Sequence, residues 1–142
     1  MNVVEATVVS DELVAAVQRL LPLLSPDATL PTRSDIEHIV DSHTARLLIA
    51  RDSSGIVGML TLVTFATPTG RRAWIEDVVV DHTARGKGVG EALNVAAIEL
   101  AKRSGVRTID LTSRPSREAA NRLYRRLGFV LRETNLYRFT VD

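Results

Sequence analysis

The run Arg85, Gly86, Lys87, Gly88, Val89, Gly90 constrains this chain more than any other part of it. It lies between an apolar, branched stretch ending in Val78, Val79 and Val80 and a segment with Leu93, Ala96, Ala97, Leu100 and Ala101 at helical spacing. A strand should therefore feed a helix through a glycine turn. At such a junction the first helical amides lack intrahelical partners, and the positive end of the helix dipole faces outward. Glycines at alternate positions let the main chain approach an anion, and Arg85 and Lys87 add charge. A phosphate-binding turn is the expectation, with a glycine connector that holds no ligand as the alternative.

The remaining elements follow from periodicity and turn chemistry. Residues 3–9 read as a first strand, and Ser10 with Asp11 and Glu12 caps a helix whose apolar stripe is Leu13, Val17, Leu20, Leu21 and Leu24. Ser34 and Glu37 have the spacing of a capping box ahead of a second, shorter helix. Residues 46–51 and 56–65 form a hairpin around Asp52, Ser53, Ser54 and Gly55, and 72–80 a fourth strand. After the glycine turn come a helix over 92–104, stopped by Gly105, and a short strand over 108–112. A helical crossover makes that strand parallel to the fourth. A last helix over 117–127 is capped by Gly128 with Phe129 packing back, and a strand over 135–141 closes the sheet. The pattern is one mixed α/β sheet with helices on both faces.

The chain has 142 residues, enough for one domain spanning 1–142 and no second. Its 18 basic and 17 acidic residues nearly cancel, which favours a small ligand over nucleic acid or an anionic membrane. There is no cysteine, so disulfides, thiolate metal sites and a cysteine nucleophile are excluded. His38, His43 and His82 have no metal-ligand spacing. The opening residues Met1, Asn2, Val3, Val4 and Glu5 match neither a secretion signal nor a membrane span, and a cytoplasmic protein is expected.

Three phosphate ligands compete for the glycine turn. A nucleoside triphosphate loop needs Ser or Thr after its lysine, whereas Lys87 is followed by Gly88. A dinucleotide fingerprint starting at Gly86 meets Glu91 where its third glycine belongs, although Asp110 lies about 20 residues on, where a ribose-binding acid would sit. The third ligand is the pyrophosphate of coenzyme A. Arg85, Gly86, Lys87, Gly88, Val89 and Gly90 resemble the R/Q-x-x-G-x-G/A signature of the GNAT family of N-acetyltransferases. Ile75, Glu76, Asp77, Val78, Val79 and Val80 look like that family's fourth strand, and the run from Ala119 to Phe129 looks like its later helix and cap.

The resemblance implies a mostly antiparallel sheet of about six to seven strands, splayed between the fourth and fifth. It implies acetyl-CoA as cosubstrate, a primary amine as acceptor, and no metal. The pantetheine arm would lie along Val78, Val79 and Val80, with Val78 and Val80 bonding it through their main chain, and Asn121 would lie near the cofactor. Acyl transfer to an amine needs a neutral nitrogen, oxyanion stabilisation and a proton for the leaving thiolate. Tyr124 holds the position of the family's proton donor. With reference pKa values of about 10 and about 8.5, full transfer from tyrosine to thiolate is uphill by about 2 kcal/mol, so a hydrogen bond to sulfur is the smaller demand. Tyr124 as a packing aromatic is the alternative.

Glu76 and Asp77 stand together in an apolar strand. One of them, Glu76 by preference, is the expected base, and pairing with Arg71 or Arg72 is the structural alternative. Without a bulge, Glu76 shares a face with Trp74 and Val78, and Asp77 with Ile75 and Val79. The acidic pair favours a small cationic amine, and the resemblance also allows a protein amino group and a homodimer. A non-catalytic acyl-CoA sensor is the competing function.

Overall fold

Five strands pair in chain order into one sheet: β1 (Asn2–Glu5), β2 (Ala45–Asp52), β3 (Gly55–Thr67), β4 (Gly70–Val80) and β5 (Thr108–Asp110). The first four are antiparallel neighbours, and β5 joins β4 in parallel, as the helical crossover between them requires. The computed structural model describes every residue, Met1–Asp142. The chain divides into two compact units, Met1–Leu111 and Thr112–Asp142.

In the first unit, Ser10 caps α1 (Asp11–Leu24) as expected, its hydroxyl accepting from the Leu13 amide at 3.1 Å. The next helix starts earlier than the Ser34 and Glu37 spacing suggests. Thr32 is the cap of α2 (Arg33–Asp41), and the reciprocal bonds of the capping box run between Thr32 and Asp35 at 3.1 and 2.8 Å. Thr-x-x-Asp makes the same paired bonds as Ser-x-x-Glu, and here it wins. The first strand is also shorter than 3–9. Its last sheet bond is Ala6 N to Leu47 O, after which the chain leaves the sheet to bring Ser10 to the head of α1.

Each face of the sheet has its own core. Leu13, Val17 and Leu20 of α1 and Ile36 of α2 pack on Leu47, Ile49, Met59 and Val79. The opposite face carries Leu60, Leu62, Ala73 and Ile75, all buried, under α3 (Val89–Arg103) with its buried Leu93, Ala97 and Ala101. Fully burying one such leucine or isoleucine stabilises by about 1.5–3 kcal/mol, so the two cores hold α1 and α3 firmly. Gly58 fixes how closely α3 seats: a Cβ there would meet Val89 at 3.0 Å, Leu93 at 3.1 Å and the Val79 carbonyl at 3.2 Å.

The second unit contains α4 (Glu118–Arg126). Gly128 has φ +102°, and the amides of Gly128 and Phe129 bond to the carbonyls of Arg125 and Tyr124 at 3.0 and 2.9 Å, the expected glycine cap. The expected last strand over 135–141 does not form. Residues 130–142 have no regular structure and are exposed, and the sheet has five strands where six to seven were expected. A strand exists only where its amides and carbonyls are paired with those of another strand, and residues 130–142 make no such pairing.

Candidate functional site

The middle of β4 departs from regular pleating. Thr61 of β3 lies opposite Glu76 and Met59 lies opposite Val79, so Leu60 alone faces both Asp77 and Val78. Asp77 takes φ +50°, the only non-glycine residue with positive φ. This is a β-bulge, and it moves the side-chain phase by one. Ile75, opposite Leu62, points to the α3 side, whereas Val79, opposite Met59, belongs to the core under α1. Glu76 therefore shares the α1 side with Trp74, as simple alternation gives, and with Val79 where alternation gives Val78. Both carboxylates are exposed.

Neither is paired with the arginines that the structural alternative assigned to them. Arg71 donates its Nε to the Ser104 carbonyl at 3.2 Å, and Arg72 reaches the Thr67 and Thr69 hydroxyls at 3.3 and 3.2 Å. Beside the bulge β4 loses its outer neighbour. Its parallel pairing with β5 is confined to Arg72, Ala73 and Trp74, so from Ile75 to Val80 the edge away from β3 has no strand bonded to it. Main-chain groups on that edge, next to two free carboxylates, are available to an extended ligand.

The glycine turn follows immediately. Asp81 ends the strand and caps a short 3-10 turn, His82–Ala84, by accepting from the Thr83 amide and hydroxyl, both at 3.1 Å. The Thr83 amide, ahead of its hydroxyl and the Arg19 guanidinium, holds the Asp81 carboxyl below its ordinary value against partial burial. Arg19 of α1 donates to the same carboxylate and, at 2.7 Å, to the Ile56 carbonyl. Arg85, Gly86, Lys87 and Gly88 are exposed. Gly86 and Gly88 have φ +76° and +78°, with open space where a Cβ would be, so backbone conformation and not packing requires glycine there. Gly88 is the cap residue of α3 and supplies no side-chain bond, which leaves the first amides of that helix, from Val89 and Gly90 onward, without a capping side chain.

Within the second unit Tyr124 is buried and packs edge-on against Phe129, with ring centroids 5.8 Å apart. Burial pushes its phenol above the ordinary value, only partly offset by Arg117, so the hydroxyl keeps its proton. No hydrogen bond to protein holds that hydroxyl, which leaves it to a ligand. Asn121 donates its amide to the carbonyls of Arg114 and Arg117 at 2.9 and 2.8 Å. Those bonds brace the segment before α4 and leave only Oδ1 for a ligand. A cleft of about 310 Å³ is lined by Ser113, Asn121, Arg122, Arg125 and Leu131 among others.

The sequence profile of the acetyltransferase (GNAT) family matches residues 13–129, which takes in the bulged strand, the glycine turn and Tyr124. The chain belongs to the GNAT family. Over 61 residues, 43% of this chain and 27% of the relative, it is 41% identical to an uncharacterised N-acetyltransferase of Methanocaldococcus jannaschii. Over 93 residues, 65% of this chain and 30% of the relative, it is 36% identical to a mycothiol acetyltransferase of Propionibacterium freudenreichii. The chain thus matches less than a third of the length of these two relatives. Among solved structures it is similar to a transcriptional regulator from Bacillus halodurans, at TM-score 0.82 and 28% identity over 98% of this chain and 99% of that one. It also shares its fold with a putative acetyltransferase from Agrobacterium tumefaciens, at TM-score 0.86 and 20% identity over 99% and 100%.

In this GNAT chain no three His, Cys, Asp or Glu side chains gather into a metal-holding cluster, and no helix is long and apolar enough to cross a membrane. Reading by motif missed Arg19, Gly58 and Asp81, which position the turn. Asp81 two residues before Thr83 is a turn signature that was there to find. Arg19 left no signal, because its partner is 62 residues away. Asn94 was missed too: it is fully buried, bonds the Gly90 carbonyl at 2.8 Å and leaves its own carbonyl oxygen unpaired.

Proposed function

We propose that this chain is an acyltransferase that moves the acetyl group of acetyl-CoA to the primary amine of a small cationic acceptor, by direct attack in a ternary complex. The observation that carries the reading is the uncapped start of α3, with its two left-handed glycines, directly after a strand whose edge is open from Ile75 to Val80. Amides of Gly86, Gly88, Val89 and Gly90, with Arg85 and Lys87, bind the pyrophosphate. The main chain of Val78, Val79 and Val80 holds the pantetheine arm, and one of its amides polarises the thioester carbonyl. Glu76 takes the proton from the attacking amine, with Asp77 beside it to attract a cation.

Tyr124, kept protonated by burial, hydrogen-bonds the departing sulfur. Arg122 and Arg125, beside the cleft of the second unit, supply positive charge for the 3′-phosphate, and Asn121 steadies that segment. The family match runs through both compact units, which supports reading 1–142 as one acyltransferase domain.

Thermal melting with acetyl-CoA, CoA and NADH in parallel tests the cofactor. A ligand at a hundred times its Kd adds about 2.7 kcal/mol, which raises the melting temperature by roughly 5 to 10 °C for a chain of this size. A rise with acetyl-CoA but not with NADH is expected, followed by amine-dependent thiol release in a panel of polyamines, amino sugars and amino acids. No rise with acetyl-CoA overturns the reading. A rise without thiol release from any amine assigns the chain to acyl-CoA sensing.

A further inference from the structure

Asn94 is fully buried on a face of α3 whose other buried residues, Leu93, Ala97 and Ala101 among them, are apolar. Its side chain donates Nδ2 to the carbonyl of Gly90 at 2.8 Å, one turn earlier. No protein donor reaches Oδ1, a condition shared only with the Ser113 hydroxyl oxygen. Turning the amide over would not help, because Oδ1 would then face the Gly90 carbonyl, acceptor against acceptor. A buried acceptor without a donor costs the desolvation of that oxygen, and an apolar side chain at 94 would avoid the cost. A polar group kept in that condition calls for a use beyond packing.

The use lies at the other end of the bond. α3 starts from Gly88, a left-handed cap that supplies no side-chain bond, and its first turn contains a second glycine, Gly90. Glycine restricts its own dihedrals least, so this turn is soft at the point where its amides must be fixed. The Gly90 carbonyl and the Glu91 amide belong to one rigid peptide plane. Glu91 is the third residue of the helix, so its amide has no acceptor within the helix, like those of Val89 and Gly90. Asn94, fixed in the core, holds that plane by its carbonyl side.

We infer that Asn94 is a positioning residue for the glycine turn: its bond to Gly90 sets the direction of the Glu91 amide, so that the head of α3 is ordered before a pyrophosphate arrives. The inference rests on the reading of that turn as the coenzyme A site. Preorganisation raises affinity by removing an ordering cost from binding, and this bond is remote from the reacting groups, so it acts on affinity and not on turnover.

Two pairs of variants isolate the bond, each pair differing by a hydroxyl. Ser and Thr in a helix can donate to the carbonyl four residues back, whereas Ala and Val cannot. Calorimetric titration with CoA gives Kd, and kinetics with an amine that releases thiol give KM and kcat. Asn94→Ala should raise Kd and KM about three- to tenfold with kcat within about twofold, while Asn94→Ser stays within about twofold of wild type throughout. Asn94→Val and Asn94→Thr, which fill more of the site, should divide in the same way and serve if the smaller pair folds poorly. Without cosubstrate Asn94→Ala should melt no lower than Asn94→Ser, because Ala is the better helix former, so affinity and stability rank in opposite order. Equal affinities within both pairs overturn the inference. So does a loss of affinity accompanied by an equal fall in kcat or by a lower melting temperature than the hydroxyl partner, which makes Asn94 a packing residue. Failure of the wild type to bind CoA is a separate result, which overturns the reading of the turn and this inference with it.

Discussion

Arg19 of α1 bridges the carboxylate of Asp81 and the carbonyl of Ile56, and so ties a helix on one face of the sheet to the residue where β4 becomes the glycine turn. Asp81 in turn holds the 3-10 turn through Thr83. The position of the exposed amides after Gly86 thus depends on a side chain that touches none of them.

Replacing Arg19 by methionine removes both bonds while keeping much of the apolar stem. Arg19 is half exposed, so the loss is small, about 0.5–1 kcal/mol. The expected result is a KM for acetyl-CoA raised about two- to fivefold with kcat nearly unchanged, because the turn loses preorganisation and the reacting groups do not move. An equal fall in kcat would mean that Arg19 acts on the chemistry itself.

The pH dependence of stability follows from Asp81. Its carboxyl is held below the ordinary value of 3.8, first by the Thr83 amide, so the folded state binds this proton less readily than the unfolded chain. The stabilisation is fully present above that ordinary value and is lost as pH falls through the lowered one. Asp81→Asn should melt below wild type at neutral pH, and the gap should narrow as the melts are taken below about pH 4.

Tyr124→Phe keeps the ring against Phe129 and removes only the hydroxyl. Turnover should fall by at least about tenfold, with acetyl-CoA affinity and melting temperature little changed. Burial raises the phenol above 10.0, so the wild-type kcat profile should show no descending limb from Tyr124 below that pH. Unchanged turnover would assign Tyr124 to packing alone.

Glu76→Gln tests the base. Gln cannot accept a proton, so activity at neutral pH should drop and then recover as rising pH supplies more neutral amine. Full activity at neutral pH would remove Glu76 from the mechanism and leave Asp77 as the remaining acid of the bulge.

Asp77 occupies a backbone region that side chains resist, at a cost of order 1–3 kcal/mol. Asp77→Gly relieves it, and chemical denaturation should show a more stable protein by about 1 kcal/mol. If the carboxylate attracts a cationic acceptor, the same variant should have a raised KM for the amine.

Local chemistry made much of this protein legible from its sequence alone. The Ser10 cap, the hairpin around Asp52 and Gly55, the glycine turn before α3 and the Gly128 cap with Phe129 each depend on residues a few positions apart, so a short window contains their causes. Tertiary structure decided the rest. A period of two assigns faces only while every residue has one partner, and the bulge at Asp77 and Val78 exists only in the pairing with β3; it put Val79, not Val78, on the side of Glu76. The bridge from Arg19 to Asp81 joins residues 62 apart, and no local pattern encodes it. The alternation in 135–141 specifies a strand, but pairing needs an edge, and edges belong to the folded sheet.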